Sequence, residues 1–564
     1  MGRFKYLTSV RTGTSRRDFL SRSGSAAAAF AGAVTLPLTP GVARAVGSLF
    51  QHGVASGDPL ADRVILWTRI TPQSPRRTVG FRWLVARDAR LRDVVQRGDG
   101  ETSVDNDFTV KVDAVGLSPG STYFYRFFAE NEASPIGRTR TLPVGATSRL
   151  RIAVASCSNH AAGLFNAYRR IAERTDLDFV LHLGDYTYEL GPGELGSLRV
   201  PEPPGETITL SDYRTRHAQY KRDVDLQEVH RQHPMICVWD DGEITNNAWR
   251  DGALNHTEGA EGTWPERVAM FLKAYYEWMP VRQVDATQPR RNARAFQIGD
   301  LVDLLMLEER LSARSEQVPA TIPIPGFLVP GFAQVGPFAD PSRTLLGADQ
   351  EAWLAARLRD SAARWKVLGQ QVMFAQLKAV GLPLAAFPPG GVFLNNDQWD
   401  GYQPARDRIY AVLKGDATHA PVNDVVILSG DLHSSWAADL TQDPNNPVVA
   451  AGGYDSATGN GSRAVEFVGT SISSPGLPDP GGEIVALLRS RNPHFKYADL
   501  NQRGYMLLDV TRERAVCEWW FVDTVAAPSN VQTLGAVFEV QHGSNRLVPS
   551  AMTAARTDPP PPAP

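Results

Sequence analysis

Four apolar runs in this chain end in residues that can hold a metal. Ile152-Ala-Val-Ala155 leads into Ser156-Cys157, and Phe179-Val-Leu-His-Leu183 into Gly184-Asp185. Met235-Ile-Cys-Val-Trp239 leads into Asp240-Asp241, and Val425-Val-Ile-Leu428 into Ser429-Gly430-Asp431-Leu432-His433. One aspartate after a strand is an ordinary turn or cap residue. Several in one crevice would repel unless a cation neutralised them. Hard oxygen donors joined by an imidazole and a thiol suit iron, manganese, zinc or calcium.

The run Gly184-Asp185-Tyr186-Thr187-Tyr188 adds detail. Glycine permits a sharp turn, so the Asp185 carboxylate and the Tyr188 phenol can address one metal. A phenol, with an ordinary pKa of about 10, ionises only beside a strong Lewis acid such as ferric iron. The plainer reading is a core tyrosine beside a capping aspartate, and Tyr186 is read that way. Cys157 is either a thiolate on the metal or a small apolar residue closing a strand. Cys237 and Cys517, inside apolar runs, are expected in the core. These three cysteines, far apart in sequence, form no disulfide framework.

The elements that must position these groups are legible in outline. From about residue 150, apolar strands alternate with helical stretches at 161–174 and 349–364, which predicts an α/β domain or a layered αββα one. Each strand would deliver its ligand at the carboxyl end, where open α/β sheets place catalytic groups. Before it, residues 46–143 read as strands: Val64–Arg69, Gly80–Val85 and Tyr123–Phe128. The turn-then-tyrosine segment Leu117-Ser-Pro-Gly-Ser-Thr-Tyr123 resembles that of fibronectin type III sandwiches, so a small Ig-like β-sandwich without chemistry of its own is expected there. The Pro-, Gly- and Phe-rich segments 318–341 and 381–393 are expected as rim or lid loops.

At 564 residues the chain exceeds what one core usually holds, and two domains are expected. Its 43% hydrophobic and 21% charged residues are ordinary for a soluble globular protein. A net charge of −3 offers no long-range attraction for nucleic acid or an anionic membrane. No stable nucleic-acid partner is expected, and a monomer is. Ser15-Arg16-Arg17-Asp18-Phe19-Leu20, the short apolar stretch 26–38 and Ala43-Arg44-Ala45 read as a twin-arginine signal over residues 1–45. That route exports folded, cofactor-loaded proteins, so the protein is expected outside the cytoplasm: secreted, periplasmic or in the cell envelope. Residues 149–549 are assigned to the catalytic domain and 550–564 to a disordered proline-rich tail.

Further motifs carry a resemblance. Val54-Ala-Ser-Gly-Asp-Pro59, Trp67-Thr-Arg69, Ala155-Ser-Cys157, His182-Leu-Gly-Asp-Tyr186, Trp239-Asp-Asp241, Asn246-Asn247, Gly369-Gln-Gln-Val372, Ser429-Gly-Asp-Leu-His433 and Glu518-Trp-Trp-Phe-Val-Asp523 follow one another in that order. From about His52 to Thr524 the chain resembles the PhoD-type alkaline phosphatases, calcineurin-like metallophosphoesterases that include a few phospholipases D. The resemblance implies iron and calcium as cofactors. It places Cys157, Asp185, Tyr188 and His433 around the iron, with Asp185 bridging, and Asp240, Asn247 and Asp431 on the calcium side. Asp431 is alternatively the group that orients His433.

One position departs from the family pattern, which usually reads Trp-Asp-Asp-His-Glu. Here Trp239-Asp240-Asp241-Gly242-Glu243 puts glycine where a histidine would contact the phosphoryl group or protonate the leaving oxygen. Such help is commonly worth about 10²–10⁴ in rate. Either His256 or His494 takes over, or activity is weakened, or the glycine makes room for a bulkier diester. With Asp241, these histidines and Arg310 complete the candidate catalytic set; Arg310 is read as a phosphate-stabilising cation or a surface ion-pairing residue.

The expected function is hydrolysis of phosphomonoesters or phosphodiesters by metal-activated water. A phospholipase D, its acyl chains resting on an apolar rim at Pro323–Phe332, and a catalytically weakened phosphate- or metal-binding protein are the alternatives.

Overall fold

The computed structural model describes residues 49–324, 327–379 and 391–564. The expected signal at 1–45 lies outside them, as do most of the 381–393 segment and the side chains of 323–330 in the expected apolar rim.

Two β-sheets stack face to face, and helices cover both outer surfaces. The ten-stranded sheet runs Arg149–Ala155, Phe179–His182, Pro234–Cys237 and Val54–Gly57 in parallel at its centre. The antiparallel strands Arg503–Thr511, Arg514–Val522 and Gln532–Gln541 extend it on one side. The seven-stranded sheet sets Val302–Met306, Trp365–Gly369, Val425–Ser429 and Ala464–Val468 in parallel.

Both faces of these strands are buried, which is why they read as unbroken apolar runs rather than as alternating ones. Ile152, Val154, Leu181 and Ile236 meet Leu304, Val367, Val426 and Leu428 between the sheets. Their neighbours Ala153, Val180, Met235 and Cys237 pack against the helices Asn166–Ala172, Val224–Gln232 and Trp264–Trp278. On the other side Leu305, Leu368 and Ile427 pack against Gly347–Asp360 and Gln403–Lys414. The αββα order expected from the sequence is therefore the observed one. Cys237 and Cys517 lie in these cores as free thiols.

The sandwich expected for 46–143 is present in part: two sheets share one core, but one of them is continuous with the catalytic body. A five-stranded sheet built on Thr78–Ala86, Val94–Ser103 and Thr122–Ala129 encloses a core with Val54, Val64, Leu66, Tyr123 and Phe127. The expected corner is present: the Ser118 amide donates to the Tyr123 hydroxyl at 2.8 Å. However, Val54–Gly57, Arg63–Arg69 and Thr109–Val115 are not a separate sheet; they continue the ten-stranded one through the pairing of Val54–Gly57 with Pro234–Cys237. Asp58 then pairs with Arg294 at 2.9 Å, and the Trp67 indole donates to Glu277 O at 2.8 Å. The N-terminal layer is thus hydrogen-bonded into the catalytic body through the pairs Ser56–Pro234 and Gly57–Met235.

Two further expectations are corrected. The 550–564 tail is docked, not disordered: Thr553 Oγ1 donates to Glu518 at 2.6 Å, Arg151 to Ala554 O at 2.7 Å, and the Ala563 amide to Gln232 at 2.9 Å. Carbonyls of a proline-rich segment remain acceptors, and Arg138 donates to Pro560 O and Gln232 Nε2 to Ala563 O, each at 3.2 Å. The 318–341 segment holds a hairpin of Thr321–Ile324 and Phe327–Pro330 rather than a plain loop. Its Phe332 stacks on Phe338 with ring centroids 4.1 Å apart and on Phe393 at 5.3 Å, so these rings bury one another.

Candidate metal centre

The carboxyl ends of the parallel strands of both sheets converge, and the loops leaving them are held in an unusual backbone state. Cys157, Asp185, Asn247, Asp431 and His433 all have positive φ, between 52° and 61°. Non-glycine residues adopt this left-handed region rarely and at a cost of order 1–3 kcal/mol. Its concentration in the expected ligands turns their side chains back over the strand ends. Gly184, with φ of 105°, is required where it stands: a Cβ there would lie 2.5 Å from Asp240 Cβ.

Hydrogen bonds lock these loops together. The Cys157 amide donates to Gly184 O at 3.1 Å and the Ser158 amide to Asp185 O at 2.9 Å. Glu243, which the sequence reading left without a role, accepts from the amides of Asp185, Tyr186 and Asp240 at 2.8, 2.8 and 2.9 Å. One buried carboxylate thereby ties two ligand loops. Glu309 likewise accepts from the amides of Gln371 and Val372, each at 3.0 Å, and so fixes the turn after Trp365–Gly369.

On one side of the site, donor atoms of Cys157, Asp185 and His433 lie within 4.8 Å of one another. The Tyr188 hydroxyl joins them, donating to Asp185 Oδ2 at 2.5 Å, lying 2.9 Å from His433 Nε2 and accepting from Ser474 Oγ at 2.8 Å. His433 Nδ1 lies 2.9 Å from Pro475 O, which points Nε2 into the site. The orienting group for His433 is therefore the Pro475 carbonyl and not Asp431.

On the other side, Asp185, Asp240 and Asp241 form a second such group, and Asp241, Asp397 and Asp431 a third. Asp185 and Asp241 belong to neighbouring groups and so bridge them. The Asn247 amide donates to Asp241 Oδ2 at 2.7 Å, which seats Asn247 beside this side. Asp397 was missed in the sequence, since nothing in Asn395-Asn396-Asp397 marks it as more than a turn.

The residues fit metal ions. Thiol, phenol, imidazole and carboxylate together match a transition metal such as iron, and the all-oxygen side matches a hard divalent cation. Asp240 is fully buried, and its Oδ2 has no hydrogen-bond partner. Burial, with Asp241, Asp431 and Asp185 adding to it, pushes the Asp240 carboxyl well above its ordinary range against the pull of Arg310. A buried carboxylate oxygen in that situation calls for a cation.

Three members of the expected catalytic set are placed otherwise than expected. Arg310 is neither on the surface nor open to a phosphate; it is fully buried among Asp240, Asp241, Asp397 and Asp431. His494 packs on Phe495, burial holds its pKa down at about 3, and the one N–H of the neutral ring is given to Gln376 O at 2.9 Å, so it has no acidic proton for a leaving group. His256 is tied to Glu258 at 3.1 Å and Glu261 at 3.4 Å, with its ring on Trp264. Its neighbour Asn255 instead lines a cavity with Tyr188, Glu189, Glu194, Gly242 and Asn246.

Gly242 has a structural role of its own. Its amide donates to Asp185 Oδ1 at 3.0 Å, and a Cβ added there would sit 2.4 Å from that oxygen and 3.3 Å from Thr187 O. The missing side chain is what lets the bridging carboxylate lie against the backbone.

Comparisons with known proteins bear on this geometry. Residues 152–519 match the family model described as PhoD-like phosphatase, and residues 37–143 match PhoD-like phosphatase, N-terminal domain. Alkaline phosphatase D of Bacillus subtilis (strain 168) is 34% identical over 559 residues, spanning 94% of this chain and 88% of that relative. The solved structure described as "Structure of PhoD" superposes with a TM-score of 0.79 at 33% identity, covering 91% of this chain and 95% of the other.

Proposed function

The chain belongs to the PhoD-like phosphatase family and is a phosphoric ester hydrolase, and from that premise we propose that it is an exported alkaline phosphatase with an iron- and calcium-type centre. The observation that carries the metal reading is the convergence of Cys157, Asp185, Tyr188 and His433 on one side with Asp240, Asp241 and Asp431 on the other.

In this reading Cys157, Asp185, Tyr188 and His433 would hold the iron-type ion, and Asp240, Asp241, Asn247 and Asp431, with Asp185, would hold the calcium-type ion. Bound there, the ions supply Lewis acidity that neutralises phosphoryl charge and acidifies water. The chain's own contribution is positional. Glu243 fixes the loops bearing Asp185 and Asp240, while Pro475 O sets the ring of His433. Neither His256 nor His494 reaches these groups, so no side chain of the expected set stands in for a leaving-group acid. Substrates whose leaving group departs without protonation, such as aryl phosphates, suit this arrangement. Export rests on the twin-arginine pattern at residues 15–20. Among the described residues no helix is long and apolar enough to cross a membrane.

The test is turnover of an aryl phosphomonoester and an aryl phosphodiester by purified protein, before and after chelation and reloading with iron and calcium. Activity lost on chelation and restored by both ions is expected. Undiminished turnover by metal-free protein would overturn the metal reading.

A further inference from the structure

Arg310 has no exposed surface, yet it touches more charge than any partnership with substrate would need. Its Nε donates to Asp240 Oδ1 and Nη1 to both oxygens of Asp397, at 2.8 and 3.1 Å. Nη2 donates to Asp431 Oδ1 at 3.0 Å and lies 3.8 Å from Asp241 Oδ1. A guanidinium has five N–H donors in a rigid fork, and here all three nitrogens face carboxylates.

Its backbone is pinned as well. Glu308 accepts from the amides of Arg310, Leu311 and Ser312 at 3.0, 2.7 and 2.7 Å. Arg314, 2.6 Å from Asp397, and Gln317, 2.7 Å from it, hold that carboxylate from behind. Gln398 donates to the second oxygen of Asp431 at 2.6 Å. Asp240 is left divided: Oδ1 is engaged by Arg310, while Oδ2 is buried without a hydrogen bond.

These contacts have two consequences. Without metal ions, the aspartates would repel one another in a desolvated space, and the guanidinium offsets part of that repulsion. With a divalent cation beside Asp240 and Asp241, the same guanidinium is a like charge at short range and opposes binding.

We propose that Arg310 is a positioning residue, a built-in counter-ion that holds Asp240, Asp397 and Asp431 in place ahead of metal loading and that lowers the affinity of this side for a divalent cation. The proposal rests on the reading of the cluster as a metal site and goes beyond it. It assigns to one arginine both part of the stability of the metal-free form and a lowered calcium affinity on this side.

The experiment compares wild type, Arg310→Lys and Arg310→Gln by calorimetric calcium titration and by thermal melts in chelator and in calcium. Arg310→Gln is expected to bind calcium at least about tenfold more tightly, because one unit of like charge is removed at close range. Its melting temperature should fall in chelator and largely recover in calcium. Arg310→Lys keeps the charge but loses the fork, so its calcium affinity should stay within about threefold of wild type. Its melting temperature in chelator should still fall, while its calcium-dependent gain should match that of wild type, since that gain follows affinity. Unchanged or weaker calcium binding by Arg310→Gln, or equal loss of stability by that variant with and without calcium, would overturn the proposal. Where Arg310→Gln does not fold in chelator, Arg310→Lys decides: a lower melting temperature in chelator with calcium affinity within about threefold of wild type supports the proposal, and an unchanged melting temperature in chelator or a calcium affinity shifted about tenfold or more overturns it. Failure of the wild type itself to bind calcium would instead remove the metal reading on which the proposal stands.

Discussion

The Tyr188 hydroxyl donates to Asp185 Oδ2 at 2.5 Å, so the two ends of the Gly-Asp-x-x-Tyr run meet on one point despite their short separation in sequence. Local backbone makes this possible. Asp185 sits at φ of 57°, which folds its carboxylate back toward the residue three positions ahead. His433 Nε2 and Ser474 Oγ reach the same phenol oxygen from 245 and 286 positions away.

If this oxygen ligates ferric iron, loaded protein is expected to show a visible phenolate-to-iron absorption band. Tyr188→Phe should abolish the band and weaken iron retention by roughly 10–100-fold, the range for groups that tune a metal's surroundings. Absorbance spectroscopy and metal analysis after dialysis check both. A band that persists in Tyr188→Phe would remove Tyr188 from the ligand set.

At Gly242 the expectation runs against simple restoration of a histidine. Any Cβ there meets Asp185 Oδ1 at 2.4 Å, so Gly242→Ala should displace the bridging carboxylate and lower kcat/KM on an aryl phosphate, by an order of magnitude or about that. Gly242→His should give no gain over wild type. A rise in turnover for Gly242→His would show that the position was waiting for an acid and that Asp185 can yield.

His494 was a candidate for that acid and is instead buried against Gln376 O and Phe495. Held neutral with a pKa of about 3, it contributes packing and one hydrogen bond. His494→Gln is expected to cost about 1–3 kcal/mol in urea unfolding while leaving kcat/KM within roughly threefold. A hundredfold loss of kcat with unaltered stability would return it to the catalytic set.

Lys221 supplies a pH test away from the ligands. Its amine is buried between the rings of Trp67 and Tyr186, 3.0 Å from His230 Nε2, and burial lowers its pKa to about 7. In the unfolded chain a lysine stays protonated up to about pH 10.4. Between about pH 7 and pH 10 the unfolded state therefore binds more protons, and stability rises with pH by up to about 1.4 kcal/mol per unit from this group. Below pH 7 the penalty is present in full. Lys221→Met should raise stability at pH 7 and flatten the slope between pH 7 and 9, measured by urea unfolding. An unaltered slope would show that the amine is solvated and ordinary.

Legibility in the sequence followed the range of the interactions. Apolar runs closed by Gly-Asp, Asp-Asp or Gly-Asp-x-His are local signals, because a strand buried on both faces must be apolar throughout and must then turn. They were enough to place Cys157, Asp185, Tyr188, Asp240, Asp241, Asp431 and His433 at strand ends and to suggest the αββα order. Glu243 was within reach too, directly beside the departure at Gly242, but a glutamate that binds only backbone amides has no chemical signature in a sequence.

The remainder depended on which elements the two sheets bring together. Arg310 follows two glutamates and reads as surface charge, whereas its partners Asp240, Asp397 and Asp431 stand 70, 87 and 121 positions away. The N-terminal strands looked like a separate sandwich because alternation is the same whether a strand pairs within its own layer or with a neighbouring one; the pairing of Ser56 with Pro234 decided otherwise. The proline-rich tail had the composition of a free end, and residues such as Arg138, Arg151, Gln232 and Glu518, presented by distant strands and a helix, hold it in place. Burial and local turns are written along the chain, but the meeting of charges across it is a property of the packed sheets, and the metal centre depends on both.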